Sequence, residues 1–599
     1  LKMDFLGLRN LSIIQNAELQ IRKQKSDFSI ETIPMDDKKT FAMIASGATE
    51  GVFQFESEGM KQLMRKLQPT SIEDLIAAIS LYRPGPMQYI PRFIENRHNP
   101  EKITYPTPLL KPILDVTFGC IVYQEQVMQI FRNLAGYSLG RADIVRRAMS
   151  KKKHDVLMKE KQAFLYGDKD ENGNILCIGA VNNGVDEKEA LKLYDEITAF
   201  SSYAFNKSHA AAYSFVAYQT AYLKCHYEKE YMASLLTSVL SNEDKVVKYT
   251  NECHALNIPV LMPSVNESIR DFKVTSQGIR FGLLAIKNLG EGVIEAIIKE
   301  RTQGGPFTSY YDFCYRLYGK DFNKRALEGL IKSGALDNLG ANRRQMLQSI
   351  DIIFDVIDAE KKGELSGQLS FFGEGILEEK REFSLPDVKE LERKDLLLFE
   401  KESTGLYLSG HPLKDYEGYI NSIKTDKIAD ILKGEYADGA TVTVVVLLNN
   451  MNAKLTKTGK SMAFLSVEDA SGGMGVTVFP RQYTENVETL VNSNVVKITG
   501  KVSLREDRPN ELIAEKVEAV IKPKATYSKL YIRTNSNEQN KLNSLADIIT
   551  DSFGAQVIIV FADSGKRVLY KRFANFPQNS ENFAKLCEIF GENNVKVVE

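Results

Sequence analysis

Apolar residues recur at every third or fourth position through much of the segment between residues 10 and 270. That period collects apolar side chains on one helix face, so it predicts amphipathic helices around a shared core. Proline and glycine clusters such as Arg83-Pro-Gly-Pro86 separate the periodic stretches. The pattern predicts a helical domain with long loops rather than an α/β sheet. The predicted helices are Thr40–Ala45, Gly59–Leu67, Ser71–Ser80, Gln124–Leu134, Ala142–Ser150, Glu187–Phe200, Ala210–His226 and Lys229–Val239.

Between about residues 275 and 345 the pattern changes to short helices around glycine turns. The run Ala285–Gly292, followed by apolar residues, predicts a helix, a Gly-x-Gly hairpin and a second helix, and Lys324–Gly340 predicts a further helix and turn. Gly290 and Gly292, with Lys287 beside them, would let backbone N–H groups face a DNA phosphate at the second helix. A purely packing role for these glycines is an equal alternative.

Residues 355–435 are charged and linker-like, with one predicted helix near Lys389–Lys401. Within them lies a short apolar motif bracketed by glycines. Large apolar side chains in a polar loop are typical of an anchor for a partner's pocket. Packing back onto the nearby helix is the alternative. The motif consists of Gln368, Leu369, Ser370, Phe371 and Phe372.

Residues 439–520 alternate apolar and polar positions in five strand-like runs, with a helical run at Gln482–Val491 between the third and fourth. Five strands with a helix there predict an OB-fold barrel, a common binder of single-stranded nucleic acid. The predicted strands are Thr441–Leu448, Met462–Glu468, Gly475–Phe479, Val495–Leu504 and Leu512–Val520. The first hairpin loop would carry Lys454, Lys457 and Lys460, where a groove for a DNA strand needs positive charge.

Residues 527–599 read as strand, helix, strand, strand, helix, strand. This βαββαβ order predicts a small α/β module, which we interpret as an interaction domain rather than a catalytic one.

Composition places the chain among multidomain, soluble, globular proteins: it has 599 residues, of which 43% are hydrophobic and 26% charged. Its net charge of -1 means that nucleic-acid binding would depend on local patches. Six cysteines are scattered singly, which favours reduced thiols in a cytoplasmic protein. No apolar run, Val442–Leu448 included, is long enough to span a membrane. Because the chain begins at Leu1 inside a strand-like stretch, we expect it to be the downstream part of a longer protein.

The strongest basic cluster is the run from Arg141 to Lys153. Apolar residues would dock this helix while its cations stay free to bind a polyphosphate or a nucleic-acid backbone. A solvated charged face, with Asp143 and Asp155 as nearby compensating charges, is the alternative. The cations concerned include Arg146, Arg147, Lys151, Lys152 and Lys153.

A second cluster lies at the predicted start of a helix near residue 208. Backbone donors and the helix dipole favour an anion at that end. Lys207 and His209 could each contact phosphate, or one could donate a proton to leaving pyrophosphate. A structural histidine is the alternative. The cluster comprises Asn206, Lys207, Ser208 and His209.

The remaining chemistry points to phosphoryl or nucleotidyl transfer. The sequence has no recognisable Ser/His/Asp triad, metal-spaced histidine pair or HExxH motif. Near the start of the chain, Asp4 lies between Met3 and Phe5 in a run that predicts a short buried strand ending at Gly7. A carboxylate there is costly unless it is hydrogen-bonded or holds a cation, although a turn-forming aspartate is an alternative.

Taken in order, these motifs resemble the C-family replicative DNA polymerases of bacteria, the DNA polymerase III alpha subunits, and the resemblance covers essentially all 599 residues. It implies a multidomain α+β fold. It rests on Lys2–Leu8, Gly51–Ser57, Arg83–Pro86, Tyr123–Met128, Arg146–Lys153, Phe205–His209 and Gly405–Pro412.

The resemblance implies a domain order and partners. The domains would be the end of the palm (1–20), mainly helical fingers (21–270), a helix-hairpin-helix and clamp-binding domain (271–435), an OB-fold (436–524) and a small α/β domain that meets the clamp loader (525–599). Residues 368–372 would dock on the sliding clamp. The OB-fold would take single-stranded template, and the helix-hairpin-helix domain would hold primer-template DNA.

The resemblance also implies site residues. Asp4 would be the last of three palm carboxylates that hold two Mg²⁺ ions, and Lys2 would reach the primer end or nucleotide phosphates. The incoming dNTP would be met by Arg83, Arg146, Arg147, Lys151, Asn206, Lys207, Ser208 and His209.

Two functions from different classes follow. One is a DNA-directed DNA polymerase; the other is a non-catalytic nucleic-acid-binding scaffold in replication, which would need no triphosphate site at residues 207–209. The other two palm carboxylates, the thumb and the phosphoesterase-like domain do not occur in these residues, so we expect that the chain cannot polymerise alone.

Overall fold

The structure is a computed structural model that describes residues 7–150, 154–201, 205–365, 383–456, 458–505, 509–520, 528–545, 555–574 and 581–598. The remaining residues include several from the predicted sites, namely Lys2, Asp4, Lys151, Lys152, Lys153, Gln368, Leu369, Ser370, Phe371, Phe372 and Lys457. The chain divides into two units, one formed by residues 1–409 with 505–509 and the other by 410–504 with 510–599.

The first unit is helical, as its period predicts, and all eight predicted helices are confirmed. Four longer helices that the pattern did not single out are α1, α5, α9 and α13. The helices are α1 (Arg9–Arg22), α2 (Lys38–Ser46), α3 (Glu58–Leu67), α4 (Ile72–Leu81), α5 (Ile90–His98), α6 (Lys111–Leu114), α7 (Gln124–Ala135), α8 (Leu139–Ser150), α9 (His154–Tyr166), α10 (Glu187–Ser201), α11 (Lys207–His226), α12 (Glu228–Ser238) and α13 (Glu243–Ala255). A two-stranded hairpin, β1 (Asp168–Lys169) with β2 (Ile175–Cys177), follows α9.

Local capping explains where several of these helices begin. The Asp37 carboxylate accepts the Thr40 N–H at the start of α2, at 2.8 Å. At the start of α4, Ser71 and Asp74 form a capping box in which each side chain accepts from the other residue's backbone. These contacts satisfy backbone donors that the helix itself leaves unpaired.

Two hydrophobic cores divide the helices. Helices α1–α5 and α11–α13 pack in one core, where Phe55, Tyr218 and Tyr231 are fully buried. Helices α6–α10 pack around a separate core centred on Phe131 and Phe164. The second core therefore forms a lobe of its own within the first unit.

The following segment confirms the second helix of the first predicted hairpin and the helix and turn of Lys324–Gly340, but the predicted first helix is only a short 3₁₀ helix, Leu283–Ala285. The segment contains three two-residue strands, β3 (Val260–Leu261), β4 (Lys273–Val274) and β5 (Ile279–Arg280), and the helices α14 (Glu291–Gly304), α15 (Tyr310–Leu317), α16 (Lys324–Lys332), α17 (Arg343–Gln348), α18 (Ile350–Leu365) and α19 (Arg393–Thr404). The expectation of a linker from residue 355 is wrong, because α18 continues to Leu365 with Ile357 1% exposed.

A buried ion pair joins α19 to this hairpin region. Arg343 Nη1 lies 3.1 Å from Glu400 Oε1, and the two side chains are 5% and 0% exposed. Arg343 also makes a two-bond contact with Asp337, at 2.8 Å for each bond. The Ser409 N–H donates to the second Glu400 oxygen at 2.8 Å. This part of the segment predicted to be linker-like is thus fixed to the hairpins by charge-assisted hydrogen bonds.

In the second unit, the five predicted strands close into a barrel in the order β10-β8-β7-β6-β9, which confirms the OB-fold. Valine side chains such as Val444, Val467 and Val476 fill its interior. Two short helices precede it, α20 (Glu417–Ser422) and α21 (Ile428–Leu432). The barrel comprises β6 (Thr441–Leu455), β7 (Ser461–Asp469), β8 (Gly472–Val478), α22 (Pro480–Asn492), β9 (Val495–Ser503) and β10 (Glu511–Ala519).

The last module confirms the predicted βαββαβ order. Its sheet has the order β13-β12-β11-β14, with β11 parallel to β12 and antiparallel to β14. The elements are β11 (Ser528–Thr534), α23 (Gln539–Asn543), β12 (Ala555–Phe561), β13 (Arg567–Ala574), α24 (Glu581–Phe590) and β14 (Val595–Val598).

The six cysteines are all unpaired thiols, and every one except Cys587 is buried. Among the described residues, no helix combines the length and hydropathy needed to cross a lipid bilayer.

We expect the Arg343→Leu variant to lose about 3–5 kcal/mol of unfolding free energy, because Glu400 keeps a buried charge without its partner. The double variant Arg343→Leu/Glu400→Leu should recover much of that loss. Differential scanning calorimetry of the 599-residue chain measures both. The control is Lys324→Leu, whose pair with Asp351 is mostly exposed and should matter little. Equal melting temperatures for the single variant and the control would contradict the assignment.

Candidate nucleotide and nucleic-acid sites

A backbone pairing brings the starts of α7 and α11 together. Tyr123 and Phe205 form an isolated parallel bridge, in which the Gln124 N–H donates to the Phe205 carbonyl at 2.9 Å. The Phe205 N–H donates to the Val122 carbonyl at 3.4 Å. Residues about eighty positions apart in the chain therefore share one surface.

The predicted anion position at the start of α11 is filled by a carboxylate of the protein itself. Asn206 caps the helix, accepting the His209 N–H at 2.9 Å. Its amide donates to Glu125 at 3.1 Å, and the Lys207 N–H donates to the same carboxylate at 3.1 Å. Glu125 belongs to the first turn of α7, which the Tyr123–Phe205 pairing places there. The helix dipole thus stabilises an internal anion.

Three of the predicted triphosphate-binding cations have acidic partners. Lys207 Nζ lies 3.0 Å from Glu73. Arg146 and Arg147 both pair with Asp143, at 2.8 and 2.5 Å, and their hydrogen bonds lower the pKa of that carboxyl. The expectation that the cations of the run from Arg141 to Lys153 stay free is therefore wrong for Arg146 and Arg147. Ser208 is exposed in the first turn of α11.

Beside the start of α11 lies a cleft of about 430 Å³. A column of planar side chains forms one wall. The Arg83 guanidinium lies 4.4 Å from the centre of the Phe205 ring, and the His209 ring lies 5.5 Å from Phe205 and 4.3 Å from Tyr213. Tyr213 in turn contacts Phe53 at 5.2 Å. The cleft is lined by Gln54, Glu56, Ser57, Met60, Ile79, Tyr82, Arg83, Phe205, His209 and Tyr213.

Arg83 and His209 differ from the other predicted cations. Both side chains are exposed, and within the described part of the chain neither has an ion pair with a carboxylate. Arg83 stacks on Phe205, a contact that uses none of its N–H donors. An aromatic wall beside an uncompensated guanidinium suits a ligand with a planar ring and an anionic group.

Another part of the cleft lining belongs to the loop 47–57, which a buried lysine fixes. Lys224 of α11 is 1% exposed and donates to the Ala48 and Glu50 carbonyls at 3.0 and 2.8 Å, and to Glu252 at 2.6 Å. The Tyr231 hydroxyl donates to the Gly51 carbonyl at 2.7 Å. These bonds hold in one conformation a loop that has no secondary structure of its own.

The loop 47–57 favours a glycine at position 51. Its φ is 73°, in the left-handed region, and an added Cβ would lie 2.4 Å from Leu235 Cδ2. Both the backbone conformation and the contact with α12 therefore exclude larger residues.

Glu56 brings a negative charge to the cleft, and the structure compensates it. Lys248 lies 3.2 Å from Glu56 and 2.7 Å from Glu50. Burial raises the pKa of Glu50, but attraction to Lys61 and Lys248 outweighs burial and leaves that pKa below its ordinary value. Because Lys248 compensates its charge, Glu56 does not prevent an anion from binding in the cleft beside Arg83.

The first glycine hairpin presents an open helix start. Gly290 occupies the N-cap of α14 without any side-chain cap, and no atom lies within 4 Å of where its Cβ would be. Asparagine side chains cap α16 and α17 instead. Lys287 lies 3.0 Å from Glu243, and both are largely exposed. Gly292 lies within the first turn of α14. Of α14, α16 and α17, only α14 therefore begins with backbone N–H groups that no side chain caps.

The barrel carries a polar face with one exposed aromatic ring. Phe464 of β7 is 43% exposed, and Lys454 lies 5.7 Å from its centre. The register pairs Phe464 with Asn452 of β6 and with Thr477 of β8, and Gly475 of β8 lies opposite Ser466, two residues further along β7. The placement of Lys454 in the hairpin loop is wrong, because β6 continues to Leu455; Lys460 is exposed just before β7. The longer strand puts Lys454 over Phe464.

One group among the described residues has the spacing of metal ligands: atoms of Asp37, Cys225 and His226 lie within 4.8 Å of one another. Asp37 Oδ2 already accepts from Thr40 and from His226 Nε2 at 2.8 Å. Burial raises the pKa of the Cys225 thiol. Mg²⁺ prefers oxygen ligands, so this group does not fit the predicted magnesium site.

Sequence reasoning missed the residues that complete the cleft. Glu125, Lys224 and Tyr213 act through contacts with distant segments. Glu125 lies within Tyr123–Met128, a motif that the resemblance marked, whereas Lys224 and Tyr213 lie outside the motifs on which the resemblance rests.

Three family models match the chain. Residues 10–172 match the bacterial DNA polymerase III alpha subunit finger domain, residues 257–346 a helix-hairpin-helix motif, and residues 442–520 an OB-fold nucleic acid binding domain. The first match covers the helical region only as far as residue 172, and the other two lie on the glycine hairpins and the closed barrel.

Curated relatives named DNA polymerase III subunit alpha match nearly the whole chain. The protein of Borreliella burgdorferi is 40% identical over 599 residues, covering 98% of this chain and 51% of that protein. The protein of Bacillus subtilis is 37% identical over 600 residues, covering 99% and 52%. That of Thermus aquaticus is 41% identical over 512 residues, covering 83% and 40%. The chain spans about half the length of the first two relatives.

We expect Lys224→Met to loosen the cleft wall, because it leaves two carbonyls and the Glu252 carboxylate without their buried donor. Hydrogen exchange of the amides in residues 48–57 should accelerate by at least about tenfold, given a cost of about 1–3 kcal/mol per unsatisfied group. Lys188→Met, at an exposed position on α10, is the control. Unchanged exchange in the Lys224 variant would show that the loop holds its conformation without this residue.

Proposed function

Because this chain belongs to the family of bacterial DNA polymerase III alpha subunits, we propose that it takes part in template-directed DNA synthesis during replication. In that reaction a primer 3′-hydroxyl attacks the α-phosphate of a dNTP and pyrophosphate leaves. The proposed contribution of the described residues is to bind the incoming nucleotide and the nucleic acid. A partner domain that supplies the other palm carboxylates belongs to this proposal.

The observation that carries the nucleotide site is the cleft beside α11. Arg83 combines an exposed guanidinium with a fixed stacking contact, so it can bind phosphate oxygens with little loss of conformational entropy. His209 lies next in the column and can donate a hydrogen bond to the same phosphates. Lys207, Arg146 and Arg147 would contribute less to phosphate binding, because each is already ion-paired. Lys207 pairs with Glu73, and both arginines pair with Asp143.

Glu125 gives the site a positioning device. By accepting from Asn206 and Lys207 it fixes the first turn of α11, and with it the His209 side chain. A preorganised donor stabilises developing charge better than a mobile one, because no reorganisation is needed when the charge appears.

Divalent metal ions belong to the same proposal, and the family resemblance suggests Mg²⁺. Two such ions would activate the attacking hydroxyl and stabilise the leaving group. Asp4 and Lys2, the residues proposed for that centre, lie outside the described residues. Among the described residues, the group with metal-ligand spacing consists of Asp37, Cys225 and His226, which does not suit Mg²⁺.

The nucleic-acid contacts are proposed at two further places. The uncapped start of α14, with Gly290, Gly292 and Lys287, suits a backbone phosphate of primer-template DNA. The barrel face around Phe464 and Lys454 suits single-stranded template. A sliding clamp, for residues 368–372, and a clamp-loader subunit, for residues 525–599, complete the proposed partners.

A replication scaffold without catalysis is the second candidate function, favoured by the hairpin and barrel modules alone. The two functions differ in one measurable property. A scaffold needs no affinity for dNTPs.

The 599-residue chain should bind a fluorescent dNTP analogue, and Arg83→Ala should weaken that binding by about ten- to a hundredfold. The estimate is the loss of one charge-assisted hydrogen bond, about 1.5–3 kcal/mol. His209→Ala should act in the same direction. Fluorescence titration measures the dissociation constants, with Lys192→Ala on α10 as an exposed control. If Arg83→Ala and Lys192→Ala have equal affinities, the cleft is not the nucleotide site.

Phe464→Ala should weaken binding of oligodeoxythymidylate by about five- to a hundredfold, because it removes one stacking platform. Fluorescence anisotropy at fixed salt gives the affinity. Val491→Ala, which also shortens an exposed apolar side chain, on α22, is the matched control and should change little. A result in which dNTP binding falls instead of oligonucleotide binding would refute this division of labour.

A further inference from the structure

The sheet of the last module has one face covered by helices and one face open. Leu530 and Ile532 of β11 and Val557 of β12 point to the covered side and are fully buried. They pack against Leu586 and Phe590 of α24. Because strand side chains alternate between faces, the intervening residues must point away from this core.

On β11 those intervening residues are Lys529, Tyr531 and Arg533. Both cations are exposed, and Tyr531 is half-buried. The strand lies inside the sheet, between β12 and β14. Tyr531 is therefore an aromatic ring near the middle of the open face, flanked along its own strand by two cations.

The strand register adds neighbours of the same kind. Tyr531 is opposite Lys596 of β14 on one side and Ile558 of β12 on the other. Arg533 is opposite Val560, which pairs in turn with Arg567 of β13. Lys596 and Arg567 are both exposed. Cations on three strands thus surround a centre made of one tyrosine and two aliphatic side chains.

The charged side chains described on this open face are all positive. Among the strand positions that point to the open face and whose side chains are described, none is acidic. The four cations make no ion pair within the described residues, whereas Lys541 on the helical side pairs with Glu538 at 2.7 Å. A chain with net charge -1 has concentrated positive charge here. The open face of β11–β14 is complementary to a polyanion.

We propose that this open face binds single-stranded nucleic acid, as a site separate from the barrel. The four cations would contact backbone phosphates, and a base would stack on Tyr531 against Ile558. Four-stranded sheets that bind single strands stack bases on aromatic residues of their central strands. An acidic protein segment would use the cations but would leave the central ring without a role, so nucleic acid fits the whole arrangement better. The site takes a single strand because paired bases offer no free face for stacking.

The test uses the 599-residue chain carrying Phe464→Ala, so that the proposed barrel site contributes less. Fluorescence anisotropy with oligodeoxythymidylate across a salt series gives the affinity and its salt slope. Lys529→Gln/Arg533→Gln should lower that slope by about 1.4, since each phosphate contact on a single strand contributes about 0.7. Tyr531→Ala should weaken binding by about five- to a hundredfold, and Tyr531→Phe should retain it.

The matched control is Lys541→Gln, which removes a cation from the helical side of the same module. Thermal melting of each variant verifies folding. Photo-cross-linking of oligonucleotides containing 5-iodouracil should label Tyr531 in the parent chain. Cross-links confined to other domains, with an unchanged salt slope, would overturn the proposal. So would competition by polyglutamate with no effect of Tyr531→Ala, which would identify a docking face for an acidic protein.

Discussion

The backbone pairing of Tyr123 with Phe205 is the contact on which the candidate nucleotide site depends. It brings the first turn of α7 beside the first turn of α11, which no local propensity of either segment would do. Once they are adjacent, Glu125 accepts hydrogen bonds from the Lys207 N–H and the Asn206 side-chain amide, and Phe205 is placed where Arg83 can stack on it. A helix start that in isolation would attract any anion is thereby converted into a fixed support for His209.

Buried charge is used in the same way in two places of the first unit. Lys224 ties a loop without regular structure to the helical core, and Arg343 with Glu400 ties α19 to the glycine hairpins. An ion in an apolar interior is costly to transfer from water, so each such ion has several partners at hydrogen-bond distance. These contacts fix segments that would otherwise be mobile loops. The cleft wall and the path of the chain after the hairpins follow from them.

The chain as a whole is almost neutral, yet several surfaces are suited to phosphate. They arise from three different physical sources: an uncapped helix start at Gly290, a lysine over an exposed ring at Phe464, and an unpaired cationic sheet face around Tyr531. Each is local, because screening by salt limits exposed charges to about 8–10 Å. Nucleic-acid binding by this chain is therefore expected to be modular, with each module adding its own contacts.

The sequence by itself determined most of the elements and their order, although it did not single out α1, α5, α9 and α13. Helices such as α4 follow from apolar period and capping residues, and the barrel from alternation with a helix between its third and fourth strands. Both signals lie within a few residues, where spacing fixes geometry. The sequence also marked Arg83 and His209 as site residues, through the resemblance and through crowding at a helix start.

Only the tertiary structure decided which charges are compensated. Asp143 lies within one turn of both arginines it neutralises, but Glu73 and Glu125 reach Lys207 from segments far away in the chain. Likewise β6 extends past its predicted end because pairing with β7 outweighs the polar sequence near Lys454. Ion pairs and strand ends depend on distances between segments, and a one-dimensional pattern carries no information about those distances. That is why the elements could be read from the sequence while the partners of its cations could not.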